Sequence, residues 1–132
     1  MSDYAKIEAK LTVSEAASYS PVQKETTFDA YESGAATLQA DVTQIKAPTT
    51  GILVDLVKYV AITNILIKNK DATNYVEATF RTTGGAGNDQ VLRIPAGGIV
   101  MLGSAITVAN DLTLTANTAA CWCEIGIIGT AA

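Results

Sequence analysis

With 132 residues, 48% of them hydrophobic and 17% charged, the chain has enough material for one domain with one core and too little charge for a disordered tail. Its formal net charge is -4 and its 9 Lys and Arg residues are scattered, which argues against binding bare nucleic acid, because neutralising phosphates takes clustered cations. The count of His is 0, so Ser-His-Asp and Cys-His catalysis and His-based metal centres are closed, and neither enzymatic activity nor a cofactor is expected.

The N-terminus carries Asp3 early and has no apolar run, so neither a secretory signal nor a lipidation site is expected there. Lys6-Ile7-Glu8-Ala9-Lys10-Leu11-Thr12-Val13 alternates polar with apolar residues, the period of a half-buried strand. From 14 to 36 the alternation dissolves into isolated Tyr19, Val22, Phe28 and Tyr31, with Pro21 and Gly34 as breakers. A stretch that long without periodicity reads as an extended arm that finds its contacts elsewhere, its aromatics being candidate contact residues.

Period-two order returns at Leu38, Ala40 and Val42, set against Gln39, Asp41 and Thr43, and Pro48-Thr49-Thr50-Gly51 makes a turn. Residues 52–57 and 59–68 are β-branched and apolar enough for central strands. As a membrane span this region is too short, and Asp55, Lys58 and Asn64 interrupt it. Asn69, Asp71, Thr73 and Asn74 crowd oxygen donors into the next turn. A calcium loop is conceivable, but the Gly and the downstream Glu of an EF-hand are missing, which favours a plain Asx-type turn.

Residues 74–81 alternate again, with Val76, Ala78 and Phe80 on one face. The glycine-rich run at 84–89 lacks the Lys-Ser or Lys-Thr of a phosphate loop and reads as a hairpin tip. Short strands follow at 91–94, 99–102, 106–108 and 112–115, the first two bracketing the turn Pro95-Ala96-Gly97-Gly98. The last strand covers 120–128. Within it Cys121 and Cys123 share a face with Ile125 and Ile127 as small buried hydrophobes, since a disulfide between strand neighbours two apart is strained and two thiols make a poor zinc site. Trp122 then lies on the opposite face with Glu124. It is either an interface residue, because an exposed indole favours a cover, or is capped by the chain's own arm.

Eight to ten short strands separated by frequent turns predict an all-β fold: an antiparallel β-sandwich or jelly roll with an extended N-terminal arm. Residues 1–36 form the first strand and arm, and 37–132 the sandwich, with no internal repeat and no second domain. Candidate interface residues are Tyr19, Phe28, Tyr31, Tyr75 and Trp122. Catalytic and metal-ligating candidates number none.

Three stretches carry a family resemblance: Asn69-Lys70-Asp71-Ala72-Thr73-Asn74-Tyr75-Val76-Glu77, Leu92-Arg93-Ile94-Pro95-Ala96-Gly97-Gly98, and Leu114-Thr115-Ala116-Asn117-Thr118-Ala119-Ala120 before a closing apolar strand. This C-terminal portion resembles short virion accessory proteins of tailed bacteriophages, while the N-terminal half matches no family. The resemblance implies a structural virion protein assembled in the host cytoplasm. The role it points to first is a capsid cement or decoration protein that binds and stabilises the major capsid protein. A neck or tail component, or a carbohydrate- or receptor-binding module, is the alternative. A homo-oligomer, with a trimer as the working symmetry, fits an arm exchanged between neighbours. Neither direct nucleic-acid contact nor a membrane is expected.

Overall fold

The computed structural model describes residues 5–14, 22–32, 38–81, 89–103 and 112–131, all in strands and turns, with no helix among them. Strands β1 (Ala5–Ser14) and β2 (Val22–Glu32) pair antiparallel with each other in a two-stranded sheet of their own. The remaining strands are β3 (Leu38–Ala47), β4 (Ile52–Leu53), β5 (Tyr59–Asn69), β6 (Val76–Arg81), β7 (Asp89–Ile94), β8 (Ile99–Gly103), β9 (Leu112–Ala116) and β10 (Cys121–Ala131). They form two four-stranded antiparallel sheets, ordered β3-β10-β5-β8 and β4-β9-β6-β7.

Both sheets bury their alternate residues in one shared core. Ile65, Ile67, Cys121, Cys123, Ile125 and Ile127 come from the first sheet; Val76, Ala78, Phe80, Ile94, Leu112 and Leu114 come from the second. This is the layering of a sandwich, in which each apolar strand face finds cover only on the facing sheet. β9 is the plainest case: Leu112, Leu114 and Ala116 are buried and the threonines between them are not.

Local chemistry closes the turns. Gly98 N donates to Pro95 O at 2.8 Å around Gly97, whose φ of 72° only a glycine adopts without strain, as a type II turn requires. Where β5 and β10 pair, the register slips between Ile128 and Gly129, and the Thr63 hydroxyl donates to Ile128 O at 3.0 Å. A Cβ at Gly129 would stand 2.2 Å from the Ala61 carbonyl oxygen, so the bulge there admits no side chain.

Three expectations are corrected. The segment read as an arm without periodicity holds β2 over residues 22–32; its backbone partners lie across the hairpin in β1, a pairing that the mixed composition of β2 does not announce. Residues 52–57, read as a strand, stay in the ladder only at Ile52 and Leu53, after which Val54 N donates to Leu112 O at 2.8 Å. Asp55 Oδ1 then accepts from Val57 N at 3.0 Å, and that side-chain bond bends the chain out of the sheet. The phase of β3 is also inverted: Val42 and Ala40 face outward, and Asp41, Thr43, Ile45 and Ala47 lie on the side shared with Cys121, Cys123 and Ile125. The strand read at 106–108 and most of the 84–89 loop lie outside the described residues.

Candidate functional site

The first sheet ends in β3, which is hydrogen-bonded to β10 on one side only, and the second sheet ends in the two-residue β4. Because β4 is so short, the sandwich stands open between β3 and the 54–59 segment. The opening is a cleft of about 340 Å³ lined by Asp41, Thr43 and Ile45 of β3, by Val54, Asp55, Lys58 and Tyr59, and by Ile127 at its floor.

The cleft has one polar centre. The Asp41 carboxylate accepts from the Tyr59 hydroxyl at 2.8 Å, from Gln39 Nε2 at 2.9 Å and from Lys58 Nζ at 3.2 Å. Hydrogen bonds from Gln39 and then Tyr59, with Lys58 close by, hold Asp41 below the usual carboxylate range. Tyr59 moves the other way: burial, then donation to the Asp41 carboxylate, push its phenol well above the ordinary tyrosine value. The cleft therefore carries an ionised carboxylate and a protonated phenol throughout the neutral range.

Several large apolar residues of the segments that carry the cleft are uncovered. Val42 is 77% exposed, and Ile52, Leu53, Val57 and Val60 also stand in solvent. Of these, Val42 is itself among the residues that line the cleft.

On the outer face of the same sheet, Trp122 is 49% exposed. It sits opposite Lys46 in the ladder, with the Lys46 ammonium 5.8 Å from the indole centroid, within reach of a cation–π contact. Cys121 and Cys123 point inward as free, buried thiols. Burial, then Cys121 and Asp71, push Cys123 up to about 11, so neither reactivity nor metal binding is favoured at neutral pH.

No protein-family model matches this chain, and no curated protein matches it. Among solved structures, a chain of Bacillus endospore appendages, described as a novel family of disulfide-linked pili, superposes with a TM-score of 0.49 at 18% identity, covering 75% of this chain and 93% of that one. This finding corrects the expected role as a tailed-phage capsid cement protein, together with its neck, tail and receptor-binding alternatives. The neighbour is a bacterial appendage and not a phage particle. A likeness this slight lends no activity or partner to the present chain.

Of the five aromatic residues singled out from sequence, the described ones lie on β2, just before β6 and on β10. Tyr19 lies outside the described residues. Phe28 and Tyr31 are on β2, opposite Ala9 and Lys6, and so on alternate faces of the hairpin. One face of the Tyr75 ring is covered by the Arg93 guanidinium at 4.0 Å, which also bonds Glu77 at 3.3 Å. The oxygen-rich turn after β5 is an Asx turn: Asp71 Oδ2 accepts from Thr73 N at 2.9 Å and from Asn74 N at 2.6 Å.

Sequence reasoning missed Asp41, Lys58 and Tyr59. The signal available was an acidic residue between Ala40 and Val42 in β3, followed 18 positions later by a tyrosine; nothing in either segment announces that the two meet.

Proposed function

We propose that this chain is a non-catalytic structural subunit that assembles with copies of itself, its body a jelly roll and its N-terminal hairpin an assembly arm. Strand order supports the jelly-roll reading. Counted from β3 as the first of eight, the sheets run 1-8-3-6 and 2-7-4-5, the interleaving of two Greek keys. The absence of a catalytic role is supported by the cleft, whose two opposed groups are driven away from neutrality, Asp41 downward and Tyr59 upward, where neither serves as a proton shuttle.

The observation that carries the assembly reading is the hairpin itself. β1 and β2 pair over ten positions and, among the described residues, with no strand of the sandwich. A two-stranded ribbon alone is marginal in water, and the ladder places Ala5, Ile7, Ala9, Leu11 and Val13 at positions of one face, with Ala30 and Phe28 opposite Ile7 and Ala9. Such a ribbon gains stability by packing against or pairing with another surface, and a symmetric oligomer supplies one to every copy. Sedimentation velocity and light scattering of the full chain over a wide concentration range test this. Concentration-dependent oligomers are expected; a chain that remains monomeric throughout refutes it.

A further inference from the structure

Three lysines that lie scattered along the sequence meet on the outer face of the first sheet. We propose that this face, centred on Trp122, docks an acidic segment of a partner protein. The inference is independent of the N-terminal hairpin and goes beyond self-assembly.

Strand register builds the patch. In one row of the face, Trp122 of β10 stands opposite Lys46 of β3. On its other side is Lys70, just past the end of β5, whose backbone N donates to Trp122 O at 2.9 Å. In the next row Glu124 stands between Gln44 and Lys68, and Ile99 of β8 lies beside Lys68. Asn69, Cys121 and Cys123 are buried on the inner side, while Trp122, Ile99 and the three lysines are exposed, as strand alternation requires. With strands about 5 Å apart and same-face rows about 7 Å apart, the patch measures about 14 by 7 Å.

Charge selects the occupant. Three ammonium groups surround one carboxylate, Glu124, on a chain whose formal net charge is -4, so the patch is a local reversal of sign. Lys68 and Lys70 form no ion pair among the described residues, whereas Lys6, Lys58 and Arg93 are held by Glu8, Asp41 and Glu77. An indole 49% exposed beside these cations fits a partner that brings carboxylates to the lysines and an apolar side chain to cover the ring. A nucleic-acid strand needs a longer track of cations that follows its phosphates, and the engaged cations elsewhere do not extend this one. A second copy fits poorly as well. Of its described acids outside the patch, Glu8, Asp41, Asp55, Asp71 and Glu77 each already hold a cation or a backbone N–H. A short acidic segment of a different protein meets both requirements.

Trp122 is the single tryptophan of the chain, so its fluorescence reports on this patch. The full chain is titrated with a short end-blocked peptide in which glutamates flank a leucine, with the glutamine analogue of that peptide, and with an oligothymidylate of equal charge. A saturable change in emission is expected with the glutamate peptide alone, its affinity falling at least about tenfold as salt rises from about 0.05 to about 0.5 M. The double variant Lys68→Glu with Lys70→Glu is expected to bind at least about tenfold more weakly, and Trp122→Thr, read from amide chemical shifts, to weaken binding as well. Lys68→Gln with Lys70→Gln is a milder second variant, and far-UV circular dichroism with thermal melts checks that each one folds. Arg93→Gln, on the other sheet, is expected to bind as the parent does. No response to the glutamate peptide overturns the proposal, as does unchanged binding by both lysine double variants. Equal or tighter binding of the oligothymidylate assigns the face to nucleic acid and also overturns it. Self-association in sedimentation velocity is expected to survive the lysine substitutions; its loss places a second copy on this face, and the proposal falls.

Discussion

Strand β5 starts at Tyr59 and ends at Asn69, and the two ends use a buried polar side chain in opposite ways. At the far end, Asn69 Nδ2 donates to the carbonyl oxygens of Asn74 at 2.8 Å, Ile94 at 3.2 Å and Pro95 at 3.2 Å, while its own Oδ1 accepts from Asp71 N at 3.0 Å. Its backbone N donates to Gly98 O at 2.9 Å. One amide thus ties together the turn after β5, the end of β7 and the turn into β8, and no buried side-chain N or O among the described residues lacks a partner. At the near end, Tyr59 donates to one carboxylate that stands in an open cleft and is shared with Gln39 and Lys58. The closed corner spends its polar groups on the fold itself. The open corner keeps its charged group where something outside the fold can meet it.

If that contrast is right, substitutions along β5 should rank in cost from its middle to its closed end to its open end. Ile67 is wholly buried between the sheets, and Ile67→Ala is expected to cost about 2–5 kcal/mol through lost burial and the cavity left behind, read from equilibrium denaturant unfolding. Asn69→Ala leaves three carbonyl oxygens short of a donor in a place water reaches poorly, at a cost of about 1–3 kcal/mol. A cost within error of zero would mean that solvent replaces the amide and that the corner is not closed. Tyr59→Phe keeps the ring and removes one hydrogen bond to a carboxylate that retains two other donors. We expect about 0.5–1.5 kcal/mol, and a loss as large as that of Asn69→Ala would erase the distinction between the ends.

The closed corner was more legible in the sequence than the open one, for physical reasons. Turns are written in a few adjacent residues: Pro95-Ala96-Gly97-Gly98 needs its glycine at positive φ, and Asp71 caps backbone N–H groups two and three residues on. The phase of β10 was also readable, because Cys121, Cys123, Ile125 and Ile127 make one apolar face and leave Trp122 on the other. At β3 the same rule pointed the wrong way. Leu38, Ala40 and Val42 are the more apolar set in its first half, but the strand is an edge, and its phase is set by Ile45 and Ala47 pairing beside Cys123 and Cys121. Asp41 is thereby turned inward, toward Tyr59, a consequence of long-range register that no local window contains. β2 was hidden for a related reason: its backbone partner is β1, an earlier segment of the chain, and no local window contains that pairing.

The smallest effect expected is a change in how stability follows pH. Asp41 has a folded value below the ordinary carboxylate range because Gln39, Tyr59 and Lys58 favour its charged form. Its contribution is therefore fully present above the unfolded value of about 3.9 and is lost as pH falls through the lower folded one. Tyr59 behaves inversely: its raised value contributes stability that is whole below the unfolded value of about 10 and lost as pH climbs beyond it. Asp41→Asn should accordingly flatten part of the acid limb below about pH 4. It should not remove that limb, because Asp71, held down by the Asn74 and Thr73 amides, titrates there too. Tyr59→Phe should flatten the alkaline limb and leave the acid limb largely in place. Melting temperatures of both variants across the pH range check this. If Asp41→Asn leaves the acid limb as steep as in the parent, the carboxylate is not held by its three donors in solution, and the open corner is looser than the distances imply.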